Sequence, residues 1–566
     1  MTTEPKSDSV AEHMEVQEIQ EPDPKVSAST IMAVFFMGMT YVPAITCGLV
    51  LSSFLLAQIG VQLNDTKNVS WIPTAWSVAS AVSFAIAGGL SDIFGRRNVL
   101  LSGQVIVLVG SIVAGTAKTV LTIVAGSTII GFGAGIIFVS YPGISELLPN
   151  KYRGIGLGWT EFCIGFPWIV AGVLLANQLN EHATWRWIYY IGIIYSGVVI
   201  VGTAVFYFPP SRPQGDYERT RWQEFKDLDF IGLLLFTAGI VLFLVGFAYL
   251  GQPTYSKSLV ASTTVIGGLV LIGAFAYDFT IPKNPIFPFH LFSMFREYTV
   301  HLVVLFIAGM IWQTVTTWAP QATLFIFTHD PVQIGLVQMP NNWAGFVGGW
   351  VFPSLVHKIK NIRYQIIFAL VLQTVFTALY AVAIPKHKWM WAVFQLFGQC
   401  CFTWVTTLAY VSSSLCVPQE ELGVSAGLIG TFRSAGGSVG NTIFSTIITS
   451  VLNKRLAPNI IKAALAAGFP ADQLEKLVPA AIGAGMGAPN TFSNIPAATA
   501  AVIAATQAAF KDAYAHAFKV VFLATIPFGV VAIVAALFLK DASHLLNNKV
   551  AVRQEKEVLA RKSVTV

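Results

Sequence analysis

The decapeptide Gly88-Gly89-Leu90-Ser91-Asp92-Ile93-Phe94-Gly95-Arg96-Arg97 lies between two apolar runs, residues 71–90 and 98–116. Each run is close to the roughly 20 apolar residues that an α-helix needs to span a bilayer. Gly88 and Gly95 permit a tight turn between the two helices. Asp92 can lie near a helix N-terminus or pair with a basic side chain, and Arg96 can bridge to a neighbouring helix. The stretch therefore predicts a short polar connection between two membrane-spanning helices.

The composition extends this prediction to the whole chain. Of 566 residues, 55% are hydrophobic and 11% charged, whereas a typical soluble domain is about 25% charged. The 47 glycines suit membrane helices, in which glycine allows close backbone approach. The formal charge of +6 comes from basic residues scattered between apolar runs, so we expect no nucleic-acid partner. The sequence predicts an all-α integral membrane protein whose partner is the lipid bilayer.

The length criterion applied along the chain gives about fourteen spans. The candidate spans are residues 32–58, 71–90, 98–116, 119–142, 155–176, 187–208, 228–250, 259–279, 297–318, 332–356, 364–384, 389–415, 422–452 and 517–539. Residues 1–30 are polar and acidic, and we expect a disordered cytoplasmic tail there.

Charge in the short loops predicts the orientation, because cytoplasmic loops carry an excess of Lys and Arg. In the first half, every second loop is basic, beginning with Arg96 and Arg97. This places both termini in the cytoplasm. The sequons at Asn64 and Asn68 then fall outside, where they are candidate glycosylation sites. They imply the secretory route, with the plasma membrane as the default location and a vacuolar or vesicular membrane equally compatible.

The Ala-rich segment 453–516 interrupts the pattern, and the topology places it outside. Two interpretations remain open at this point. It contains one or two short interfacial or lid helices, or it is a loosely ordered connector.

The opening decapeptide resembles the G-x-L-a-D-x-x-G-R-[RK] signature of the major facilitator superfamily, in the position at which that family has it. In that family the cluster latches the two halves of the transporter in the outward-facing state. The resemblance therefore implies a cytoplasmic gate, formed by Gly88, Leu90, Asp92, Gly95, Arg96 and Arg97.

Further stretches narrow the resemblance. Residues 131–135 are rich in glycine, and Ser145-Glu-Leu-Leu-Pro-Asn-Lys-Tyr-Arg-Gly154 follows the fourth span. Gly165, Pro167 and Gly172 form a degenerate antiporter motif in the fifth span. Together with fourteen spans and a large penultimate loop, these resemble the fungal branch that contains trichothecene-type efflux pumps and, more distantly, siderophore–iron transporters.

The resemblance implies the major facilitator fold, with two six-helix bundles around a central cavity. The N-terminal bundle is expected at 31–210 and the C-terminal bundle at 297–540, which includes the loop 453–516. A linker with two extra spans occupies 211–296, and a cytoplasmic tail 541–566. Two departures weaken the antiport inference: Ser127 stands where many drug antiporters have Arg, and Phe166 precedes Pro167 where Gly is usual.

Ionisable side chains within spans are costly and usually functional or paired. Glu161, His301 and Arg433 are the candidate proton or charge sites. Glu161 is either a proton carrier or the salt-bridge partner of a basic loop residue. His301 suits a structural histidine better than a proton carrier, and Arg433 either contacts an anionic substrate or pairs with a carboxylate. Asp278 is expected to be solvated near the cytoplasmic surface.

Aromatic and amide side chains suit a cavity for bulky, weakly polar molecules. The candidate cavity residues are Tyr41, Trp76, Trp168, Trp312, Gln313, Asn341 and Asn342.

These observations predict a secondary active transporter that exports a small organic compound, such as a toxin, secondary metabolite or drug, by proton antiport with alternating access. The alternative is a ferric-siderophore importer, and a non-transporting receptor ranks lower. No G-x-x-x-x-G-K-[ST] phosphate loop occurs, so ATP does not drive transport by this chain. We expect no enzyme activity, cofactor or metal, because no cluster has catalytic or metal-ligand spacing. The five cysteines lack C-x-x-C spacing and suit small buried side chains. The expected unit is a monomer.

Overall fold

The structure, a computed structural model, describes residues 26–65, 68–69, 71–209, 229–250, 256–282, 287–486, 491–493, 495 and 498–552. Within these ranges every regular element is helical, which confirms the all-α prediction. Most of the predicted N-terminal tail and residues 553–566 of the C-terminal tail lie outside the described residues.

Each predicted span coincides with a helix. The first half contains α1 (Ala28–Phe54), α2 (Trp71–Phe94), α3 (Arg96–Gly115), α4 (Val120–Leu147), α5 (Arg153–Ile164, continued as Gly165–Ile169 and Gly172–His182) and α6 (Trp187–Phe206). The middle of the chain contains α7 (Phe230–Leu250) and α8 (Lys257–Thr280). The second half contains α9 (Phe295–Phe327), α10 (Pro331–Ser354), α11 (Ile362–Ala383), α12 (Lys388–Cys416), α13 (Leu422–Ala466), α14 (Leu474–Gly485) and α15 (Ala500–Ala536).

Ten helices of the described chain are long and apolar enough to cross a membrane, or eleven if the bent α5 counts as one span. The total of fourteen therefore remains a prediction. We refer to α1–α6 as the first bundle and to α9–α13 with α15 as the second bundle. The end of the molecule that holds the turn at Gly95 is the motif end, and the end that holds Asn64 is the sequon end.

Glycine determines how closely the helices approach within the first bundle. A Cβ atom on Gly131 of α4 would collide with the backbone of Trp76 in α2, and one on Gly135 would lie 2.6 Å from the amide nitrogen of Phe84. The glycine-rich stretch of the fourth span is therefore a helix-packing surface, as expected for membrane helices. Gly95 has a φ of 86°, a value that glycine adopts readily and other residues rarely do, and this turn reverses the chain between α2 and α3.

The last two long helices extend further than the predicted spans. α13 has 45 residues, about 68 Å at 1.5 Å per residue, whereas the hydrocarbon core of a bilayer is roughly 30 Å thick. Alanine, the residue with the highest helix propensity, continues both α13 and α15 beyond their apolar parts. Their extensions and α14 share a small core, made of Ala464, Phe469, Leu477, Ile495 and Val502. The described part of 453–516 is therefore a helical cap at the sequon end and not a loosely ordered connector.

The two bundles meet along two helix pairs. α2 packs against α13, and α5 packs against α10. In the first pair, contacts run from the Thr431 hydroxyl, which donates to the Ala81 carbonyl at 3.3 Å, to Gly88, which faces Gly423. Ala81 lies near the middle of α2, and Gly88 lies in the half nearest the motif end. The hairpin of α7 and α8 packs alongside this seam, since α7 contacts both α2 and α13.

Candidate functional site

The arginine of the predicted gate motif forms two ion pairs. Arg96 Nη2 lies 2.5 Å from Glu146 Oε1 and 3.4 Å from Asp92 Oδ1. The Arg96 and Glu146 side chains are only 10% and 7% exposed. A charge-assisted hydrogen bond at this distance is strong, so the turn between α2 and α3 is tied to the end of α4. The motif residues thus form a charge cluster at one end of the molecule.

The neighbouring motif glycine touches the other bundle. A Cβ atom on Gly88 would lie 2.6 Å from the Gly423 carbonyl oxygen and 2.7 Å from Val424 Cα. On the facing helix, a Cβ atom on Gly423 would lie 2.8 Å from Asp92 Oδ1. The motif therefore places α2 in backbone contact with α13, and the motif end is closed along this seam.

The second motif arginine has a different environment. Arg97 donates from Nη2 to the Ala204 carbonyl at 2.8 Å, and its guanidinium lies 4.2 Å from the centre of the Phe208 ring. It therefore stabilises contact with the end of α6 within the first bundle. Leu90 packs with the small apolar cluster of Val99 and Ile136.

A second closed seam lies between α5 and α10. A Cβ atom on Gly154 would collide with the Pro353 carbonyl, and one on Gly158 would lie 2.9 Å from the Trp350 carbonyl. Arg153 adds a hydrogen bond from its guanidinium to the Ser414 carbonyl of α12. The stretch after the fourth span therefore also holds the bundles together at the motif end.

A polar cluster lies deeper in the same interface. The Tyr141 hydroxyl of α4 donates to Glu161 Oε1 of α5 at 2.9 Å. Arg433 of α13 lies within electrostatic range of Glu161 and of the side chains of Tyr41, Tyr141 and Tyr410. The rings of Tyr141 and Tyr410 have centroids 5.2 Å apart. Glu161 and Arg433, two ionisable side chains from different bundles, thus lie within electrostatic range of each other.

Glu161 is also enclosed by a helix of the second bundle. A Cβ atom on Gly349 of α10 would lie 3.0 Å from Glu161 Cβ, 3.1 Å from its Cγ and 3.3 Å from its Oε2. Glycine at this position leaves the space that the carboxylate-bearing side chain occupies. The position of the carboxylate therefore depends on how the two bundles are arranged.

His301 packs separately from the polar cluster around Glu161. It is 1% exposed on α9, against the backbone of Glu297 and Tyr298. Asp278, expected to be solvated, is 4% exposed and accepts a hydrogen bond from the Phe287 backbone at 3.0 Å. Both side chains are therefore enclosed by the protein.

The candidate cavity residues are distributed over several environments. Trp76 is 6% exposed inside the first bundle, and its indole donates to the Ala44 carbonyl at 3.1 Å. Trp168 has its ring 6.2 Å from that of Tyr195, whereas Trp312 stacks on Phe402 at 4.8 Å. Tyr41 belongs to the polar cluster, and Trp76 packs as part of the bundle.

The amide candidates lie on the second bundle. Gln313 donates to the Thr317 hydroxyl at 3.4 Å and faces Gly437, whose added Cβ would lie 3.4 Å away. Asn341 and Asn342 are half-buried on α10. The buried Oδ1 of Asn341 has no hydrogen-bond donor among the described residues.

The antiporter-like motif interrupts α5. Phe166, between Gly165 and Pro167, has φ −111° and ψ 130°, which is not helical. Further along the span, Asn150–Ile169 and Leu174–His182 are bent by 48° relative to each other. A Cβ atom on Gly172 would lie 3.1 Å from the Phe54 ring. Broken helices in transporters occur where they line a cavity or a packed interface.

At the sequon end, Asn64 has a positive φ of 54°, and the Asn68 amide donates to Asp65 Oδ2 at 2.8 Å. The hydroxyl residues of both sequons, Thr66 and Ser70, lie outside the described residues. In the described ranges, no three His, Cys, Asp or Glu side chains group as a metal site.

Sequence reasoning missed four residues of the site. Glu146 is in the quoted stretch after the fourth span, and its charge at the end of an apolar run was a usable signal. Tyr141, Gly349 and Tyr410 carried no such signal, because their roles arise from packing between helices that are distant in the sequence.

The helical architecture, the motif cluster and the interface charges together define a membrane transporter of the major facilitator fold. The solved structure of the proton:xylose symporter XylE, bound to 6-bromo-6-deoxy-D-glucose, aligns with 94% of this chain and 98% of its own, at a TM-score of 0.51 and 13% identity. This likeness supports the fold alone.

The sequence model of the fungal trichothecene efflux pump family matches residues 4–565, and the chain belongs to that family. It is 28% identical to the MFS-type transporter prx5 of Penicillium rubens, over 79% of this chain and 81% of the relative. It is 26% identical to the trichothecene efflux pump TRI12 of Fusarium sporotrichioides, over 94% of this chain and 89% of that pump.

Proposed function

We propose that this protein exports a small organic compound by alternating access and that inward movement of protons drives the export. The observation that carries the proposal is the placement of the Glu161 carboxylate, which accepts a hydrogen bond from Tyr141 and packs against Gly349 of the opposite bundle, within electrostatic range of Arg433. Ionisable residues inside membrane spans are costly and mark ion or substrate pathways by default.

The proposed coupling follows from the charges. An ionised Glu161 attracts Arg433 across the interface, and protonation of the carboxylate removes that attraction. Proton binding therefore changes the relative free energy of the two bundle arrangements, and by linkage the arrangement changes the proton affinity. Tyr141 keeps the carboxylate oriented through its 2.9 Å hydrogen bond.

The family supports export as the direction and a small organic compound as the substrate. One relative is named a trichothecene efflux pump, so we propose a secondary metabolite or a related toxin or drug as the cargo. Trp168, Trp312, Gln313 and the amides of Asn341 and Asn342 are the proposed substrate contacts.

The proposed topology places the motif end, with both termini, in the cytoplasm. The residues of the motif then form the cytoplasmic gate, closed in this structure, and Asn64 and Asn68 lie on the outer face as glycosylation sites. The proposed location is the plasma membrane, and the proposed unit is a single chain.

The experiment that tests the function measures accumulation of a panel of fluorescent lipophilic dyes in cells with and without the protein, at two external pH values. Export driven by protons lowers accumulation more at acidic external pH, because the inward proton gradient is larger. Glu161→Gln is expected to abolish this pH dependence.

Glu297→Gln is the matched control, because Glu297 is a carboxylate on α9 that pairs with Lys540 at 2.8 Å near the protein surface. It should export dye with the same pH dependence as the unaltered protein. Persistent pH-dependent export in Glu161→Gln would refute the proton role. Unchanged dye accumulation together with uptake of labelled ferric siderophores would instead favour the importer alternative.

A further inference from the structure

After α15 ends, the chain remains packed against the helices of the protein. Leu539 and Ala542 are 0% and 1% exposed, and Val552 is 6% exposed. We call the segment Asp541–Val552 the C-terminal strap. It crosses the motif end and contacts both bundles.

The beginning of the strap is attached to the second bundle. Asp541 Oδ1 accepts a hydrogen bond from the Arg363 backbone amide at 3.3 Å, and Ser543 Oγ accepts one from the Ile362 amide at 3.0 Å. These are first-turn amides of α11, which have no partners within their own helix. Asn361, the residue before α11, makes no side-chain capping bond. The strap therefore supplies the cap of α11.

The end of the strap is attached to the first bundle. The backbone hydrogen bonds, each of 3.0 Å, run from the Asn150 amide to the Lys549 carbonyl, from the Lys151 amide to the Asn547 carbonyl, and from the Val552 amide to the Glu146 carbonyl. The last of these satisfies a carbonyl in the final turn of α4, where intrahelical donors are lacking. The loop 146–151 is thus paired with the strap at both of its ends.

One side chain adds specificity to this pairing. The Asn150 amide group donates to Asn547 Oδ1 at 2.8 Å and to the Leu545 carbonyl at 3.3 Å. Lys549, by contrast, takes part through its backbone, and its side chain is exposed. The two positions therefore differ in how much a side-chain substitution should weaken the strap.

The strap also meets the charge cluster of the motif. Glu146 accepts the Val552 amide with its carbonyl and holds Arg96 with its carboxylate at 2.5 Å. Separation of the bundles at the motif end would carry the loop 146–151 away from α11. The strap cannot stay attached to both.

We propose that the C-terminal strap is a latch, which remains attached to the second bundle and must release the loop 146–151 before the motif end opens. The proposal rests on the alternating-access part of the proposed function and is independent of substrate and proton.

The test uses the full-length protein in lipid nanodiscs, with a cysteine in place of Ser425 as the reporter of opening. Ser425 is 1% exposed and lines a narrow cavity between the bundles, opposite Tyr141 and Leu157. A hydrophilic maleimide reaches it when the motif end opens. Asn150→Ala removes two hydrogen bonds of the latch and is expected to raise the labelling rate about fivefold to tenfold.

Lys549→Ala is the matched control and should leave the labelling rate unchanged. A second reporter, Ser196→Cys, distinguishes opening of the motif end from general loosening of the helices. Ser196 is 2% exposed within α6, so labelling at this position should stay low in both variants. Equal Ser425→Cys labelling in Asn150→Ala and Lys549→Ala would overturn the latch. An equal rise at both reporters would also overturn it. Absence of labelling in every variant would overturn alternating access at this end, and the latch with it.

Discussion

Gly88→Ala is the most direct test of the closed seam between the bundles. Gly88 faces the backbone of α13, whereas Gly89, the next residue of α2, has no atom within 4 Å of the position that a Cβ would take. The same added methyl group is therefore placed in the bundle interface at one position and in open space at the other. Gly89→Ala is the matched control.

The magnitude follows from the distances. The added Cβ would lie 2.6 Å from the Gly423 carbonyl oxygen, and ordinary van der Waals contact begins at 3.4 Å. The obstructing atoms are backbone, so the helices must separate by about 0.8 Å, which forfeits a quarter to a half of each pairwise dispersion energy. Overpacking of this kind costs about 2 kcal/mol. The closed arrangement should become about thirtyfold less favoured relative to arrangements in which α2 and α13 are apart.

Helix propensity does not confuse the comparison. Replacing glycine by alanine within a helix stabilises it by about 1 kcal/mol, and this gain applies to both positions. The difference between Gly88→Ala and Gly89→Ala therefore isolates the clash across the interface.

The assay measures the distance across the motif end by double electron–electron resonance. Spin labels are attached to cysteines that replace Asn98 at the start of α3 and Lys358 after α10, both exposed. In Gly88→Ala, most molecules should show a longer distance between the two spin labels. In Gly89→Ala, the short distance between the labels should be retained. Identical distance distributions for the two variants would refute the closed seam and the gate role built on it.

Three further predictions concern the interface and the first bundle. Gly349→Ala places a methyl group 3.0 Å from Glu161 Cβ, so the transport rate should fall severalfold. Gly345→Ala, whose added methyl group meets Thr403 at 3.9 Å, should leave the transport rate unchanged. Equal rates in the two variants would show that transport tolerates displacement of the Glu161 carboxylate. Glu146→Ala leaves the motif guanidinium without its shorter ion pair and should lower the free energy of unfolding by about 3 kcal/mol, measured as a lower thermal midpoint in detergent; an unchanged midpoint would contradict the strength assigned to this pair. Trp76→Phe removes one buried hydrogen bond and should cost about 1 kcal/mol of stability with unchanged dye export, and a loss of export at normal stability would return this residue to the substrate cavity.

The sequence predicted the positions of the helices well because the bilayer imposes a length and a composition on each span. Every predicted span coincides with a helix, and the motif turn falls at Gly95 as expected. Gly88, which was also expected to permit the turn, lies within α2 instead. α13 continues past the predicted span 422–452, and α15 begins before the predicted span 517–539. The physical reason is that the apolar composition required by lipid ends at the edge of the bilayer, whereas helix propensity in an alanine-rich segment does not.

The site was only partly predictable. Glu161 and Arg433 could be singled out, since charges are rare in spans and each costs free energy. Their proximity could not be predicted, because α5 and α13 are far apart in the sequence and neither helix contains a signal for the other. The same limit applies to Trp76, whose burial against Ala44 depends on how α1 and α2 cross.

The sequence by itself determined that the chain lies in a lipid bilayer, which secondary structure it forms and which family it belongs to. The length of the apolar runs, the spacing of the glycines and the motif are all local properties of the chain. The tertiary structure alone decided which charges face each other, which end is closed and where the C-terminal strap lies. These depend on backbone approach between helices and on hydrogen bonds that join residues as distant as Glu146 and Val552. Their free energies arise only when the bundles are packed together, and so they have no signature in any single stretch of sequence.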